Sequence, residues 1–168
     1  MPAPCAPLLR LHSQAAGRWH PRFRMTEGLP TTRRILVATD FSLQAKRALE
    51  WGRYFADHLP AKLVLLHVIE IFKLADVEYR MSGSDPLGIL REQSQSSMAD
   101  LKRSTPDSET HILEGSPRPL IVEFALESDC QMIVMGTQGR SGLAQLFLGS
   151  VAEYVVRHSK VPVLTIRT

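Results

Sequence analysis

The sequence predicts an α/β protein built on an open, doubly wound sheet of five mostly parallel strands. Five short runs are apolar or β-branched over nearly their whole length, a pattern typical of strands that helices cover on both faces. Segments with helical periodicity lie between several of these runs. A strand, a helix and a second strand in close succession indicate a parallel pair joined by a right-handed crossover.

The first two strands enclose the clearest helix. The run ILVAT ends at Thr39 and is followed by Asp40-Phe41-Ser42, a turn and helix-cap cluster. Apolar residues at spacings of three and four then mark one helix face until Pro60 ends the helix. The residues of this face are Ala45, Ala48, Leu49, Gly52, Phe55, Ala56 and Leu59. The run KLVLLHVI, residues 62–69, is the second strand.

The rest of the chain continues the alternation. The predicted elements are a helix over about 87–102, a strand at 110–113, a helix that Ser116 caps and Pro117 begins, a strand at 132–135, a helix over 150–158 and a strand at 162–166. In doubly wound sheets, ligands bind beyond the carboxyl ends of the strands, where the strand order reverses. We expect two polar strand ends, Thr39-Asp40 and Gly136-Thr137, to line this crevice.

The composition fits one domain with a nearly neutral body. The chain has 168 residues, of which 44% are hydrophobic, and a formal net charge of +3. Four arginines and no acidic residue precede Met25. The rest of the chain therefore contains 16 basic and 17 acidic residues. Because the positive excess is local, nucleic acid is not an expected partner.

Residues 1–30 are predicted to be a disordered extension ahead of a domain at 31–168. They contain five of the eleven prolines and no sustained periodicity. A transit peptide is one explanation, and an upstream start codon before Met25 is the other. No apolar run reaches the roughly 18 residues that span a bilayer, and Cys5 and Cys130 have no zinc-like spacing. We therefore expect a cytoplasmic protein in a reducing compartment, without a membrane partner or a metal site of its own.

A glycine-containing loop follows the fourth strand. Gly136 and Gly139 permit positive φ and close approach of the backbone to a bulky anion, and Gly149-Ser150 places N–H groups and a hydroxyl at a helix start. The loop is not a P-loop, because GxxxxGK[ST] is absent. The alternative for Ser150 is structural, because Ser150 and Glu153 have the spacing of a capping box.

The spacing of these glycines resembles the G-2x-G-9x-G-S/T motif of the ATP-binding branch of the universal stress protein family. The segments RRILVATDFS, LLHVIE and GSVAEYVVRHSKVPVLTIR resemble the same family, so the likeness extends over 33–167. The resemblance implies a flavodoxin-like (Rossmann-like) sheet with strand order 3-2-1-4-5. It also implies that ATP is the bound cofactor, with Mg²⁺ accompanying it.

The resemblance assigns the nucleoside end of the site to the first two strands. Asp40 matches the acidic residue that contacts the nucleoside, and a carboxylate suits ribose hydroxyls. Its alternative is a helix-capping role beside Ser42. Ala38 and Thr39 match the adjacent strand end, although many ATP-binding members have proline where Ala38 stands. Val68 matches the position whose backbone reads the adenine edge, and core packing is its alternative.

The resemblance assigns the phosphate end to the loop and the helix that follows it. The implied residues are Met135, Gly136, Gly139, Gly149, Ser150 and Val151. Arg140, inside the loop, is either a phosphate contact or a solvated arginine. His67 is expected to be a hydrogen-bonded core residue rather than a catalytic base, because no ligand-like spacing surrounds it.

These assignments predict a nucleotide-dependent stress-response regulator or adaptor without catalytic residues. Neither a P-loop lysine nor a base beside metal-binding carboxylates is evident, so slow ATP hydrolysis or autophosphorylation is the most that we expect. The alternatives are a nucleotide-transferring enzyme on the same fold, a cyclic-nucleotide-binding member and an interaction module with an empty site. The resemblance further implies a homodimer paired through the final strand, and the protein partner is unidentified.

Overall fold

The computed structural model describes residues 33–59, 61–71, 85–137 and 148–167, and these residues form a five-stranded parallel sheet with four helices. The strands are β1 (Arg33–Ala38), β2 (Ala61–Ile69), β3 (Glu109–Glu114), β4 (Met132–Gly136) and β5 (Val163–Ile166). The helices are α1 (Leu43–His58), α2 (Pro86–Ser104), α3 (Pro117–Glu127) and α4 (Ser150–His158). The order across the sheet is β3-β2-β1-β4-β5, which confirms the predicted fold class and strand order. The predicted extension at 1–30 lies outside the described residues.

Helices cover both faces of the sheet. Ala48 and Leu49 of α1 pack on one face, and Met98 of α2 belongs to the same apolar core. On the other face, α3 contributes Ile121 and α4 contributes Val155. Because both faces are covered, the strands are apolar along their length rather than alternating. This is why the strand runs could be recognised in the sequence.

β1 lies at the centre of the sheet, between β2 and β4. Leu36 and Val37 are fully buried there. The chain runs outward from β1 to β2 and β3, and then returns to the far side of β1 to form β4 and β5. The strand order therefore reverses between β1 and β4. The carboxyl ends of these two strands form the crevice where doubly wound sheets bind ligands.

The described helices begin at or within one residue of the positions that the sequence predicted, and their capping differs in detail. Ser42 is the N-cap of α1, and its hydroxyl accepts a hydrogen bond from the Ala45 N–H at 3.2 Å. Ser116 is the N-cap of α3 and Pro117 is its first residue, but the Ser116 side chain makes no capping hydrogen bond. None of these helices is both long enough and apolar enough to cross a membrane.

The close packing of α1 on the sheet depends on Gly52. A Cβ atom at this position would lie 2.4 Å from Cγ2 of Val37, which is fully buried in β1. We expect Gly52→Ala to lower the free energy of unfolding by about 1–2 kcal/mol, because overpacking at so short a distance should cost roughly 2–3 kcal/mol and the better helix propensity of alanine offsets about 1 kcal/mol of it. Urea unfolding measures this change.

Arg53→Ala, at the neighbouring exposed position of α1, is the matched control for Gly52→Ala. Its effect should stay within about 0.5 kcal/mol. If Gly52→Ala were as stable as the parent protein, the close approach of α1 to β1 would be wrong.

Candidate functional site

A cavity of about 490 Å³ opens at the carboxyl ends of β1, β2 and β4. Its walls contain all the predicted site residues that the structure describes, namely Ala38, Thr39, Asp40, Val68, Met135, Gly136, Gly149, Ser150 and Val151. Gly139 and Arg140, the other two predicted residues, lie outside the described part of the chain. A cavity of this size suits a small organic ligand.

The turn after β1 holds Asp40 at the cavity. The Ser42 N–H donates to Oδ1 of Asp40 at 3.1 Å, and the Phe41 N–H donates to the Thr39 hydroxyl at 3.0 Å. Phe41 has a φ of 65°, a left-handed conformation that non-glycine residues adopt only when surrounding contacts enforce it. Ser42 rather than Asp40 caps α1, so Asp40 shapes the turn instead of capping the helix.

His67 fixes this turn from β2. Its Nδ1–H donates to the Thr39 carbonyl at 2.8 Å, which defines the neutral tautomer when the ring is uncharged. The imidazole ring lies 4.4 Å from the Phe41 ring, centroid to centroid. The hydrogen-bonded role predicted for His67 is therefore confirmed, although the residue is only half-buried and also borders the cavity.

The peptide groups of β2 explain how Val68 faces the cavity. The Thr39 N–H donates to the Leu66 carbonyl, and the Gly115 N–H donates to the Ile69 carbonyl, both at 2.9 Å. Peptide groups alternate between the two neighbouring strands, so even-numbered residues of β2 point toward β1. Because β1 ends at Ala38, the N–H and carbonyl of Val68 point past its end, toward the cavity.

The start of α4 forms the opposite wall. The Gly149 N–H donates to the Thr137 carbonyl at 2.7 Å, so the chain returns after residues 138–148 to the end of β4. The Glu153 N–H donates to the Gly149 carbonyl at 2.8 Å, which makes Gly149 the N-cap. The capping-box alternative for Ser150 is therefore wrong, because Ser150 is already the first helical residue.

The helix start presents backbone donors to the cavity. The N–H groups of Ser150, Val151 and Ala152 precede the first hydrogen bond within α4 and have no acceptor inside the helix. All three residues line the cavity. Together with the helix dipole, such N–H groups attract an anion.

Gly136 adopts an ordinary strand conformation. Among the described residues, Gly115 is the only glycine with a positive φ, and Gly136 is a strand residue that ends β4. Gly136 therefore does not use the positive φ that a glycine permits. Gly136 still leaves the end of β4 without a side chain, next to the start of α4.

Sequence reasoning missed the part of the cavity wall that α2 and α3 supply. The additional lining residues include Leu90, Gln93, Ser94 and Ser97 of α2, Pro117 and Arg118 of α3, and Glu70 after β2. The alternation of elements already brought the start of α3 to the same edge as Asp40. Arg118 could have been identified from this topology, because it directly follows the predicted first residue of that helix.

An ion pair links α2 to the end of β3 beside the cavity. Nε and Nη2 of Arg91 donate to the two carboxylate oxygens of Glu114 at 2.6 and 2.8 Å. These hydrogen bonds raise the pKa of Arg91 and lower the pKa of Glu114. The pair is exposed, so its main consequence is to orient α2 rather than to stabilise the fold.

The described residues offer neither a reactive thiol nor a protein-built metal centre. Cys130 is buried under α3, and desolvation raises the pKa of its thiol to about 11, which leaves it protonated and a poor nucleophile. Within the described ranges, no group of three or more His, Cys, Asp or Glu side chains could hold a metal ion. The described walls of the cavity offer a ligand backbone N–H groups, apolar surface and polar or charged side chains such as Asp40 and Arg118.

Comparisons with known proteins support this description. The model of the universal stress protein family matches residues 31–167. Universal stress protein MJ0531 of Methanocaldococcus jannaschii is 30% identical over 139 residues, which cover 80% of this chain and 82% of that protein.

Solved structures of universal stress proteins share this fold. The structure of MJ0577, from the same organism, has a TM-score of 0.71 and 31% identity and covers 81% of this chain and 96% of that one. A universal stress protein in complex with cAMP has a TM-score of 0.52 and 26% identity and covers 81% of this chain and 97% of that one.

Proposed function

The chain belongs to the universal stress protein family, and from this premise we propose that it is an ATP-binding member that acts as a nucleotide-dependent regulator or adaptor in the stress response. The observation that carries the proposal is the meeting of Asp40 and the start of α4 in one cavity. The first suits ribose hydroxyls, and the second suits phosphate oxygens. A free phosphate would need only the start of α4, so the presence of Asp40 in the same cavity favours a nucleotide.

The donors at α4 fit a phosphate chain. Three backbone N–H groups, from Ser150 to Ala152, precede the hydrogen bonds of the helix, and the Ser150 hydroxyl adds a further donor. Arg118 lines the same cavity and is a further cationic residue near the ligand. Because the sequence motif includes Gly139 and Arg140, we propose that both contact the phosphates as well.

Mg²⁺ would arrive with the nucleotide rather than occupy a site of its own. Magnesium is usually held by one or two carboxylates together with substrate phosphates and water. The carboxylates that line the cavity are those of Asp40 and Glu70. Both lie on the side of the cavity that we assign to the ribose and the base. We therefore propose that the phosphates and water supply most of the magnesium ligands, and the effect of the ion would be to neutralise phosphate charge.

Regulation suits this site better than fast turnover. The His67 Nδ1–H is engaged by the Thr39 carbonyl, and the Cys130 thiol is buried and protonated. Among the described residues, neither a reactive thiol nor a lysine therefore lines the cavity. We propose a cytoplasmic protein that reports nucleotide occupancy to a protein partner.

Mass spectrometry of the purified native protein tests the proposal. We expect ATP to co-purify, or to bind to the emptied protein in calorimetry with a one-to-one stoichiometry. Hydrolysis of the bound ATP should be much slower than its exchange. Absence of any nucleotide binding would overturn the proposed function. Rapid hydrolysis of many ATP molecules per protein would show that the protein is an enzyme rather than a regulator.

A cyclic nucleotide is the second candidate ligand. It is favoured by the likeness to the universal stress protein that was solved with cAMP. A cyclic phosphate has no triphosphate chain to occupy the start of α4, so ATP should bind more tightly if the α4 donors contribute. Competition between cAMP and ATP at equal concentration decides between the two ligands.

We further propose a homodimer that pairs through β5, which lies at the edge of the sheet. The Pro162 and Ile166 carbonyls accept hydrogen bonds from Ile133 and Thr137. Even-numbered residues of this strand thus point toward β4, and the peptide group of Thr165 points outward. An outward-facing row of peptide groups is a template for pairing with a second copy.

Thr165→Pro should shift the dimer to a monomer. Proline removes the outward N–H and leaves the bonds to β4 intact, and proline is tolerated on such an edge. We expect the dimer dissociation constant to rise by at least about tenfold, equivalent to roughly 1.4 kcal/mol. Analytical ultracentrifugation measures the shift, and circular dichroism checks that the monomer is folded. An unchanged dimer would place the interface elsewhere.

A further inference from the structure

α2 turns a partly polar stripe toward the cavity. Leu90, Gln93, Ser94 and Ser97 line the cavity, and their spacings of three and four place them on one face of the helix. Further along the helix, Met98 packs into the apolar core. The inward side of α2 is therefore apolar where it meets the sheet and polar where it borders the cavity.

Ser94 is the buried member of this stripe. It is only 6% exposed, and its hydroxyl makes no hydrogen bond to another residue in the described part of the chain. The hydroxyl is not among the described polar atoms that are both sealed from solvent and unpaired, so it is open to the cavity and can pair with a ligand group there. Alanine would fill the same position and favour the helix. A polar ligand group in the cavity accounts for serine better than packing does.

The stripe lies at the opposite end of the cavity from α4. α2 packs against β2 and β3, α4 begins beyond β4, and Asp40 follows β1 between them. Neighbouring strands are about 4.8 Å apart, so β2 and β4 are separated by roughly 10 Å. A nucleotide with its phosphates at α4 and its ribose at Asp40 would extend its base toward α2.

We infer that Ser94 hydrogen-bonds the nucleobase and that this stripe of α2 determines which base the site accepts. The inference rests on the proposed nucleotide-binding function. A hydroxyl both donates and accepts, so Ser94 can pair with an amino group or with a ring nitrogen of a purine. The N–H and carbonyl of Val68 point into the same cavity, and they supply a second polar edge for the base.

The test compares Ser94→Ala with the parent protein in binding to ATP, ITP, CTP and UTP. These nucleotides share the ribose and the triphosphate and differ only in the base. Loss of a hydrogen bond to the base should weaken ATP binding by about 5- to 10-fold and weaken at least one other nucleotide by a clearly different factor. The result is therefore read from the ratio of the dissociation constants of Ser94→Ala and the parent, compared among the four nucleotides.

Ser96→Ala is the matched control, because Ser96 is exposed on the same helix and does not line the cavity. It should bind all four nucleotides like the parent. If Ser94→Ala weakened all four equally, or weakened none, the assignment to the base would be overturned while the nucleotide site stood. If the parent protein bound none of the four nucleotides, the proposed nucleotide-binding function would be wrong, and the inference about Ser94 would be wrong as well.

Discussion

Ser150→Asp is expected to make the protein more stable and, at the same time, a much weaker binder of ATP. Ser150 is the first residue of α4, and it lies beside N–H groups that have no acceptor within the helix. A carboxylate in the first turn interacts favourably with the helix dipole and should add about 0.3–1 kcal/mol to the free energy of unfolding. The same carboxylate would occupy the position that we assign to a phosphate.

The expected loss of binding is large. Like charges brought together at an interface cost several kcal/mol, so we expect about 2–4 kcal/mol, or roughly 30- to 1000-fold in the dissociation constant for ATP. Calorimetry at several salt concentrations measures the loss, and it should shrink as salt screens the repulsion. Thermal unfolding without nucleotide measures the gain in stability.

Ser150→Asn is the matched control, because asparagine has nearly the shape of aspartate without its charge. We expect its affinity for ATP to lie much closer to that of the parent. Equal affinities in the aspartate and asparagine variants would show that no phosphate approaches the start of α4. A destabilised aspartate variant would instead indicate that α4 begins elsewhere.

The fold was predictable because its signals are local. Leu36 in β1 and Ile133 in β4 belong to runs that are apolar throughout, since helices cover both faces of the sheet. The reversal of strand order at β1 then followed from topology rules, and it placed Asp40 and Gly136 at one edge. The predicted helix at 150–158 agrees with the bounds of α4, but the sequence left open whether Ser150 caps it. The serine in Gly149-Ser150 is a common N-cap, yet the hydrogen bond from Glu153 makes Gly149 the N-cap.

The missed features depend on tertiary contacts that leave no periodic signal. Ser94 faces the cavity from a helix whose inward side is partly polar, so hydrophobic patterning did not identify that side. The left-handed conformation of Phe41 arises from its environment, which includes the His67 ring across the turn. The sequence placed Gly52 on the inward face of α1, but it did not reveal how closely the helix approaches Val37 there.

Asp40→Asn is expected to separate ribose recognition from the structure of the turn. The Ser42 N–H donates to one carboxylate oxygen of Asp40, and asparagine retains a carbonyl oxygen for that bond. The fold should therefore remain within about 0.5–1 kcal/mol of the parent, because the N-cap at Ser42 and the His67 bond to Thr39 are unaffected. What asparagine loses is the charged acceptor for the two ribose hydroxyls.

Hydrogen bonds to a charged group contribute about 1.5–3 kcal/mol, so Asp40→Asn should weaken ATP binding by roughly 10- to 100-fold. Measuring the dissociation constants of ATP and 2′,3′-dideoxy-ATP for the parent and for Asp40→Asn gives a double-mutant cycle. If Asp40 binds the ribose, the parent should lose a similar factor on going from ATP to the dideoxy analogue, whereas Asp40→Asn should lose little more. Additive losses would mean that Asp40 acts on the site only through the turn, and ribose recognition would have to come from another part of the cavity.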